Sequence, residues 1–484
     1  MRVAIVHYHL QNGGVTRIIC HLQKALGDRG LKTVALTGKP PAVQVHGPWR
    51  VVPGLQYEAD RPAITAVELA AQMRAEASAA LGGPPDLWHV HNHSLGKSLV
   101  LPVALRQLAE EGEHLLLQIH DFAEDGRPAN YQAMRARMAA SRGTSLSRLL
   151  YPQAGHLHYA VLNSRDYRYL RDAGLDAEHL HSLPNPVELG QIDEDKPTRA
   201  ELPSLWLYPT RAIRRKNLGE FLLWSILAPE DALFAVTSGP ENPLEQPRYQ
   251  RWKRVATELA LPVHFEMVRP DRYSFVELLR LADVAVTTSV AEGFGMAFLE
   301  PWTVNTPVCG RDLPEITTGF ALEGLVQPWG YRRLEVPMDW LGRERVVQAA
   351  ADGLQRNWAA YGRCPSGGDL QRVLEAWILE DRVDFGRLDE PLQEAVLRRL
   401  VRSRAQAALL DPASLPATDA LRLPLARNRH VLQSRYTLGR YGEAVEAVYR
   451  QVADSTVTPL DNLDGEVLLD HFLAPERLAL LRVD

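Results

Sequence analysis

The sequence predicts an α/β protein built from two successive doubly wound domains, with a helix-rich segment after them. Three observations carry this expectation. Short runs of Val, Ile and Leu alternate with longer helical patterns over the first 187 residues, the alternation restarts near residue 203 after a polar stretch, and the strand signal fades after about Gly330. The chain has 484 residues, enough for about three domains at ~150 residues each, and burying large cores poses no difficulty at this length.

In the first domain Val3–Tyr8, Thr33–Thr37, Leu87–His91, Leu115–His120 and Tyr159–Asn163 read as strands. Thr16–Arg29 places Ile18, Ile19, Leu22, Ala25 and Leu26 at helical spacing. Asn12-Gly13-Gly14 falls between the first strand and this helix, where a doubly wound sheet puts its ligand loop. Glu188–Glu201, with Asp193, Glu194, Asp195 and Lys196, reads as a linker. Beyond it, Leu205–Tyr208, Leu233–Thr237, Val263–Met267, Val284–Thr288 and Pro307–Cys309 are expected strands, and Leu218–Leu227 and Ser274–Ala282 expected helices. Residues 341–360 and 390–410, rich in Ala, Leu, Arg and Gln, are expected to be helical. Gly442–Val452 sets Ala444, Val445, Val448, Tyr449 and Val452 on one apolar face.

Composition narrows the function classes. A hydrophobic fraction of 46% and a charged fraction of 23% exclude a disordered, collagenous or coiled-coil chain. A net charge of −5 argues against a bulk-basic nucleic-acid binder. The three cysteines, Cys20, Cys309 and Cys364, match no zinc spacing and fit a reducing compartment. The N-terminal apolar run is too short for a signal peptide, and no stretch approaches the ~18 apolar residues of a membrane span. The expected location is the cytoplasm, with peripheral membrane contact and homo-oligomerisation left open.

Four segments carry chemistry. Gly13 and Gly14 would let a backbone approach a phosphate at a helix N-terminus, or would simply form a tight turn; they are not a GxGxxG fingerprint, which speaks against a nicotinamide-dependent oxidoreductase. Arg211, Arg214, Arg215 and Lys216 place four cations in the loop after the first strand of the second domain, suited to clamp a diphosphate or to lie solvated. Glu292 and Glu300 lie eight apart in EGFGMAFLE; a continuous helix would separate them by roughly 80° and 12 Å, unlike a glycosidase's close acid–nucleophile pair. His120 sits at a strand's carboxyl end, able to bond a substrate or serve as an acid or base. His89, His91 and His93 alternate along one strand, a pattern that would gather three imidazoles on one face and could hold a metal, although no carboxylate or cysteine cluster accompanies them in the sequence.

Together these segments resemble the retaining glycosyltransferases of family 4, which have the two-domain GT-B fold. The likeness rests on Gly13-Gly14, on His120, on Arg211 and Lys216 spaced as R-x4-K, on Glu292 and Glu300 spaced as E-x7-E, and on TPVCGRDLPEI ending near Glu315. It covers about residues 1–320 and the last helix. The resemblance implies two Rossmann-like domains facing across a cleft: 1–187 binding an acceptor and 203–325 binding a nucleoside diphosphate sugar, with UDP or GDP as base carrier. It implies that Gly14 lies close to the donor phosphates or acceptor, that Arg211 and Lys216 hold the diphosphate, and that Glu292 and the amides of Phe294, Gly295, Met296 and Ala297 face the donor sugar. Glu300 would bond the ribose and His120 the sugar. Neither cofactor nor metal is implied, the cations doing the charge neutralisation. The acceptor would be a small molecule, a glycan or a lipid-linked sugar. A catalytically silent scaffold acting as a binding or regulatory module is the alternative.

The chain departs from the family pattern in two places. Asn217 stands where the family usually has Gly, and residues 326–430 form a mostly helical insertion before 431–484, whose helix would cross back to the first domain. Arg135, Arg137, Arg142 and Arg148, following Asp121, are candidates for an anionic acceptor or a solvated face; Arg398, Arg399, Arg402 and Arg404 are candidates for membrane contact or another solvated face.

Overall fold

The computed structural model describes residues 1–60, 62–139, 145–188, 204–229, 231–269, 272–327, 329–414 and 418–483. The chain divides into two compact units, Met1–Pro186 with Tyr436–Leu473, and Val187–Arg435 with Ala474–Asp484. Most of the expected linker, from 189 on, and Arg142 lie outside the described residues.

The first unit contains strands β1 (Arg2–Val6), β2 (Lys32–Thr37), β3 (Trp49–Val51), β4 (Leu87–His91), β5 (Leu115–Ile119), β6 (Pro152–Gln153), β7 (Leu157–Val161) and β8 (Leu180–Ser182). All but β6, which pairs with Asp461–Asn462, form one sheet in the order β3-β2-β1-β4-β5-β7-β8. Every neighbouring pair in it is parallel. β4, β5 and β7 are buried at every position, as strands covered on both faces must be. The strand order reverses between β1 and β4, which leaves a crevice at their carboxyl ends. Helix Leu438–Ala453 covers one side, burying Tyr441, Val445, Val448, Tyr449 and Val452 against Ile18, Ile19, Leu22 and Leu26. Gly442 permits the close approach: a Cβ there would stand 3.1 Å from that of Ala25. Ala444, expected on the apolar face, is exposed, because the buried stripe runs through Tyr441 instead and passes Ala444 by.

The second unit repeats the plan. Strands β9 (Leu205–Arg211), β10 (Leu233–Ser238), β11 (Val263–His264), β12 (Val284–Thr287), β13 (Val308–Arg311) and β14 (Gly330–Tyr331) form a parallel sheet in the order β11-β10-β9-β12-β13-β14. Here the order reverses between β9 and β12.

Residues 326–430 contain the long helices Arg343–Ala360, Asp369–Trp377 and Glu390–Arg402, and also an antiparallel sheet of β15 (Glu335–Pro337), β16 (Ile378–Leu379) and β17 (Arg382–Asp384) that helical composition does not announce. Among the described residues this segment shares its core with the parallel sheet's layer. Val336, Trp377, Val383, Phe385 and Val396 belong to one cluster with Phe221, Trp224 and Phe234 of that layer. A buried ion cluster fastens the two parts: Arg311 at the end of β13 donates to Glu220 at 2.7 Å and to Asp384 of β17 at 2.8 Å. Tyr331 Oη donates to Glu220 at 2.7 Å, and the Leu334 amide donates to Asp384 at 3.1 Å. The expected C-terminal segment 431–484 is divided, since Leu478, Leu480 and Val483 sit in the second unit's core. Among the described residues no helix is long and apolar enough to cross a membrane.

Removing the central cation would strand two carboxylates in the interior, so Arg311→Met is expected to cost about 3–5 kcal/mol, read as a lower urea midpoint for the second unit.

Candidate functional site

The second unit's site is built where β9 and β12 end side by side. β9 finishes at Arg211, and a short 3-10 turn, Arg214–Lys216, leads to Asn217, whose φ of 54° is a left-handed conformation that Gly and Asn adopt most cheaply. That is the physical reason an Asn can stand at this position. The loop after β12 is stitched to this turn. The Val290 amide donates to Arg215 O at 2.9 Å. Thr288 Oγ1 lies 3.1 Å from Lys216 O and 3.0 Å from Asn217 O. Tyr208 Oη donates to Lys216 O at 2.7 Å and stands 2.8 Å from Ser289 Oγ.

This stitching brings together four of the residues singled out in the sequence. Lys216 Nζ donates to Glu292 Oε1, and Arg215 Nη1 donates to Glu292 Oε2 at 3.0 Å. Burial alone would raise the Glu292 pKa, but Lys216 and Arg215 overcome it and hold the carboxyl at about 2. The Lys216 ammonium is drawn below its ordinary value by burial, while Glu292 and, more weakly, Glu300 pull it back up. Glu300 therefore belongs to the same electrostatic neighbourhood. Arg211 is exposed and donates to Glu241 at 3.1 Å. Arg214 is not a ligand-facing cation: its guanidinium grips Glu390 at 2.7 and 2.9 Å and reaches Val483 O. Arg215, part of the basic run but not among the expected site residues, is the second cation on Glu292.

The path from Glu292 to Glu300 is not one helix. Gly295 has a φ of 92°, Met296–Phe298 is a single 3-10 turn, and a four-residue helix starts only at Glu300, with Pro301 at its beginning. The 80° and 12 Å expected for a continuous helix therefore do not apply. A Cβ on Gly295 would meet Phe298 Cδ2 at 2.9 Å. Phe294 is buried against Phe320, with ring centroids 5.5 Å apart, so its ring is structural; the Met296 and Ala297 amides open the turn and have no acceptor within it. Glu315, the acidic end of the downstream stretch, is bound by Arg477.

In the first unit Gly13 and Gly14 open the helix Gly14–Gly27. Neither needs to be glycine for the fold: Gly13 is extended, and a Cβ on Gly14 would meet nothing within 4 Å. The tight-turn explanation is thereby removed. His120 is buried just past β5, its amide donating to Asn92 Oδ1 at 2.7 Å and its Nε2 standing 2.8 Å from His91 Nδ1. The two rings stack at 5.1 Å, and His89 follows at 4.3 Å from His91. His89 is anchored in turn by Tyr449 Oη at 2.7 Å and Gln118 Oε1 at 2.9 Å. Burial holds His120 at about 4 and His89 at about 3, both neutral at neutral pH.

The three alternating histidines do not share a face. Asn92 has a φ of 58°, which breaks the strand's alternation and sends His93 to Leu150 O at 2.7 Å. Among the described residues no group of three His, Cys, Asp or Glu is placed to hold a metal ion. Arg135 and Arg137 are exposed, two positions apart on helix Pro128–Ala139 and so on different flanks, and Arg148 is exposed on another helix. Arg398 and Arg399 are taken up by Glu394, Glu258 and Gln406.

Two Rossmann-like parallel-sheet units in one chain define the GT-B fold of glycosyltransferases. The chain is similar in structure to a glycosyltransferase from Rickettsia africae (TM-score 0.57, 11% identity, covering 94% of this chain and 99% of that one), to Anabaena HepE in complex with UDP and glucose (0.54, 13%, 93% and 99%), and to sucrose-phosphate synthase from Thermosynechococcus elongatus (0.53, 16%, 93% and 98%). In sequence it is 28% identical over 326 residues to mannosylglucosyl-3-phosphoglycerate synthase from Petrotoga mobilis, covering 61% of this chain and 62% of that protein's length. No family model matches the chain.

Two outcomes test the site's physics. Glu292 is depressed in the folded state, so its stabilisation is complete above its unfolded value of 4.5 and is lost as pH falls toward about 2. The stability gap between the wild type and Glu292→Gln, measured by urea denaturation, should be flat above pH 5 and shrink below pH 4.5. Gly295→Ala forces a side chain into both a left-handed backbone and the Phe298 ring, and should lower the melting temperature measurably where Gly14→Ala does not.

Proposed function

We propose that the chain is a retaining hexosyltransferase that moves a sugar from a nucleoside diphosphate sugar, with UDP or GDP as carrier, to an acceptor hydroxyl without a metal ion. One observation carries this reading: the Lys216–Glu292 ion pair, with Arg215 as a second cation on the carboxylate and Glu300 in its electrostatic neighbourhood, assembled at the reversal point of the second sheet. The UDP-bound HepE structure and the name of the Petrotoga mobilis relative, a synthase of a sugar-bearing phosphoglycerate, support the donor class and hexosyl transfer.

The chemistry follows from the charges. Breaking the bond between the anomeric carbon and the phosphate oxygen leaves negative charge on the departing diphosphate. Arg211 and Lys216 neutralise it in place of a divalent ion. Arg211 leaves Glu241 at little cost, because so exposed a pair contributes only about 0–1 kcal/mol. The acceptor oxygen forms its bond to the anomeric carbon on the face the diphosphate leaves, and its proton passes to the departing phosphate oxygen. Glu292, ionised through the whole neutral range, faces the positive charge that develops on the sugar. Glu300 bonds the ribose hydroxyls, the Met296 and Ala297 amides meet the sugar and phosphate, Gly14 leaves room for the reacting groups, and neutral His120 donates or accepts a hydrogen bond at the sugar. A silent scaffold would gain nothing from holding Lys216 and Glu292 buried and charged.

Thermal-shift screening with UDP-, GDP- and ADP-sugars and NAD(P), followed by mass detection of product, tests the reading. One sugar nucleotide should raise the melting temperature and yield product, with EDTA changing nothing. Lys216→Ala and Glu292→Ala should each lower transfer by about 100-fold or more while the protein stays folded. Near wild-type transfer in both variants, or melting shifted by a protein partner and by no nucleotide, contradicts it.

A further inference from the structure

The carboxyl edge of the first unit's sheet carries a second group of cations that the donor chemistry leaves unused. Successive strand ends supply it: His9 follows β1, Lys39 follows β2, Tyr57 lies beyond β3, Lys97 follows β4, and Asp121 and Arg127 follow β5. His9 Nε2 stands 2.8 Å from Tyr57 Oη. Lys97 Nζ lies 5.2 Å from the centre of the Tyr57 ring. The loops are tied to the glycine turn, since Gln11 Nε2 donates to Pro40 O at 3.0 Å and the Ala42 amide donates to Leu10 O at 3.0 Å.

Among the described residues the carboxylates near this edge are not placed on Lys97. Asp121 is engaged with Arg127 at 2.7 Å. Glu58, exposed, accepts from the Leu99 amide at 2.9 Å. Lys97 is half-buried, and among the described residues no carboxylate pairs with it; its contact is the π-face of Tyr57. Burial first and Arg127 second draw its ammonium below the ordinary value. His9 is lowered by burial and then by Lys39 and Lys97, which places both lysines within electrostatic reach of one ring. A lysine held partly out of water beside another cation, with no counter-ion of its own, is destabilised until an anion arrives. Tyr57 and His9 add hydrogen-bonding groups around the same point, and Asp121 links it to His120, whose pKa it raises.

We propose that Lys97 and Lys39 form a binding site for an anionic group, phosphate or carboxylate, on the sugar acceptor. The word acceptor rests on the glycosyltransferase reading; the anion site does not. The donor diphosphate belongs to Arg211 and Lys216 in the second unit, so these cations serve a different negative charge. Lys97 and Lys39 supply point charges suited to a tetrahedral or planar oxyanion, and Arg127, held by Asp121 and by the Phe122 and Asp125 carbonyls, adds positive charge beside them.

The test is calorimetric titration of the full chain, saturated with whichever nucleotide raises its melting temperature, using inorganic phosphate, 3-phosphoglycerate and glycerate at constant ionic strength. Saturable binding of one oxyanion class is expected, phosphate binding but not glycerate identifying the phosphate group and the reverse the carboxylate. Lys97→Met, which keeps the apolar stem, should weaken that binding by about tenfold or more, and Lys97→Arg should restore most of it. Lys39→Ala changes an exposed side chain and should weaken it as well, so the proposal stays decidable if Lys97→Met misfolds. No saturable binding, binding that nucleotide displaces, or wild-type affinity in both Lys97→Met and Lys39→Ala overturns the proposal. If no nucleotide binds at all, the glycosyltransferase reading fails, and the same titrations on the unsaturated protein still decide the anion site.

Discussion

The parallel pairing of β9 with β12 determines where the second unit's chemistry sits. These two strands are far apart in sequence, yet their carboxyl ends emerge side by side where the strand order of that sheet changes direction. Backbone carbonyls that leave β9 are bonded by Thr288, Tyr208 and the Val290 amide. With the main chains locked together, Lys216 and Glu292 have little freedom except to meet. Their pairing holds in the interior because Arg215 adds a second cation on the carboxylate, so that attraction to the two cations outweighs the desolvation that burial imposes on Glu292.

Below this layer the second unit is one solid. Arg311, Glu220 and Asp384 connect the end of β13, the helix after Asn217 and β17. Asn217 itself is held by Gln393 at 2.8 Å, from a helix of the inserted segment. Residues 326–430 thus back the turn at Asn217 directly, which gives the extra length a structural role whatever else it does. In the first unit burial acts in the opposite sense on function: it keeps His89, His91 and His120 neutral, so the column presents hydrogen-bonding groups rather than charge. The charge at that sheet's edge comes from lysine and arginine in the loops.

Much of this was legible in the residues. Alternation of strand and helix predicted both sheets, and Gly13-Gly14, Arg211, Lys216, Glu292 and Glu300 were singled out because ligand loops fall at strand ends and because their spacing resembles the family pattern; of these the structure brings Lys216, Glu292 and Glu300 into one neighbourhood. What escaped depended on backbone geometry or on distant partners. The left-handed Asn92 diverts His93, and no periodicity shows it; an Asn between two histidines at a strand end was the available hint. Gly295 and Pro301 were visible as interruptions, yet they divide Met296–Thr303 into two short turns where apolar spacing reads as one helix. Arg214 and Arg215 look alike in the basic run, and only Glu390, contributed from far along the chain, separates a structural cation from one in the site. The β15–β17 sheet was hidden because its strands are two or three residues long and lie within helix-forming composition.

The most direct measurement is a crystal structure with a bound nucleoside diphosphate. The diphosphate oxygens should lie within about 3.2 Å of Lys216 Nζ and the Arg211 guanidinium, with Arg211 released from Glu241 and Glu300 on the ribose. A nucleotide bound with its diphosphate away from Lys216, or with Arg211 still paired to Glu241 and Glu300 off the ribose, would contradict the account.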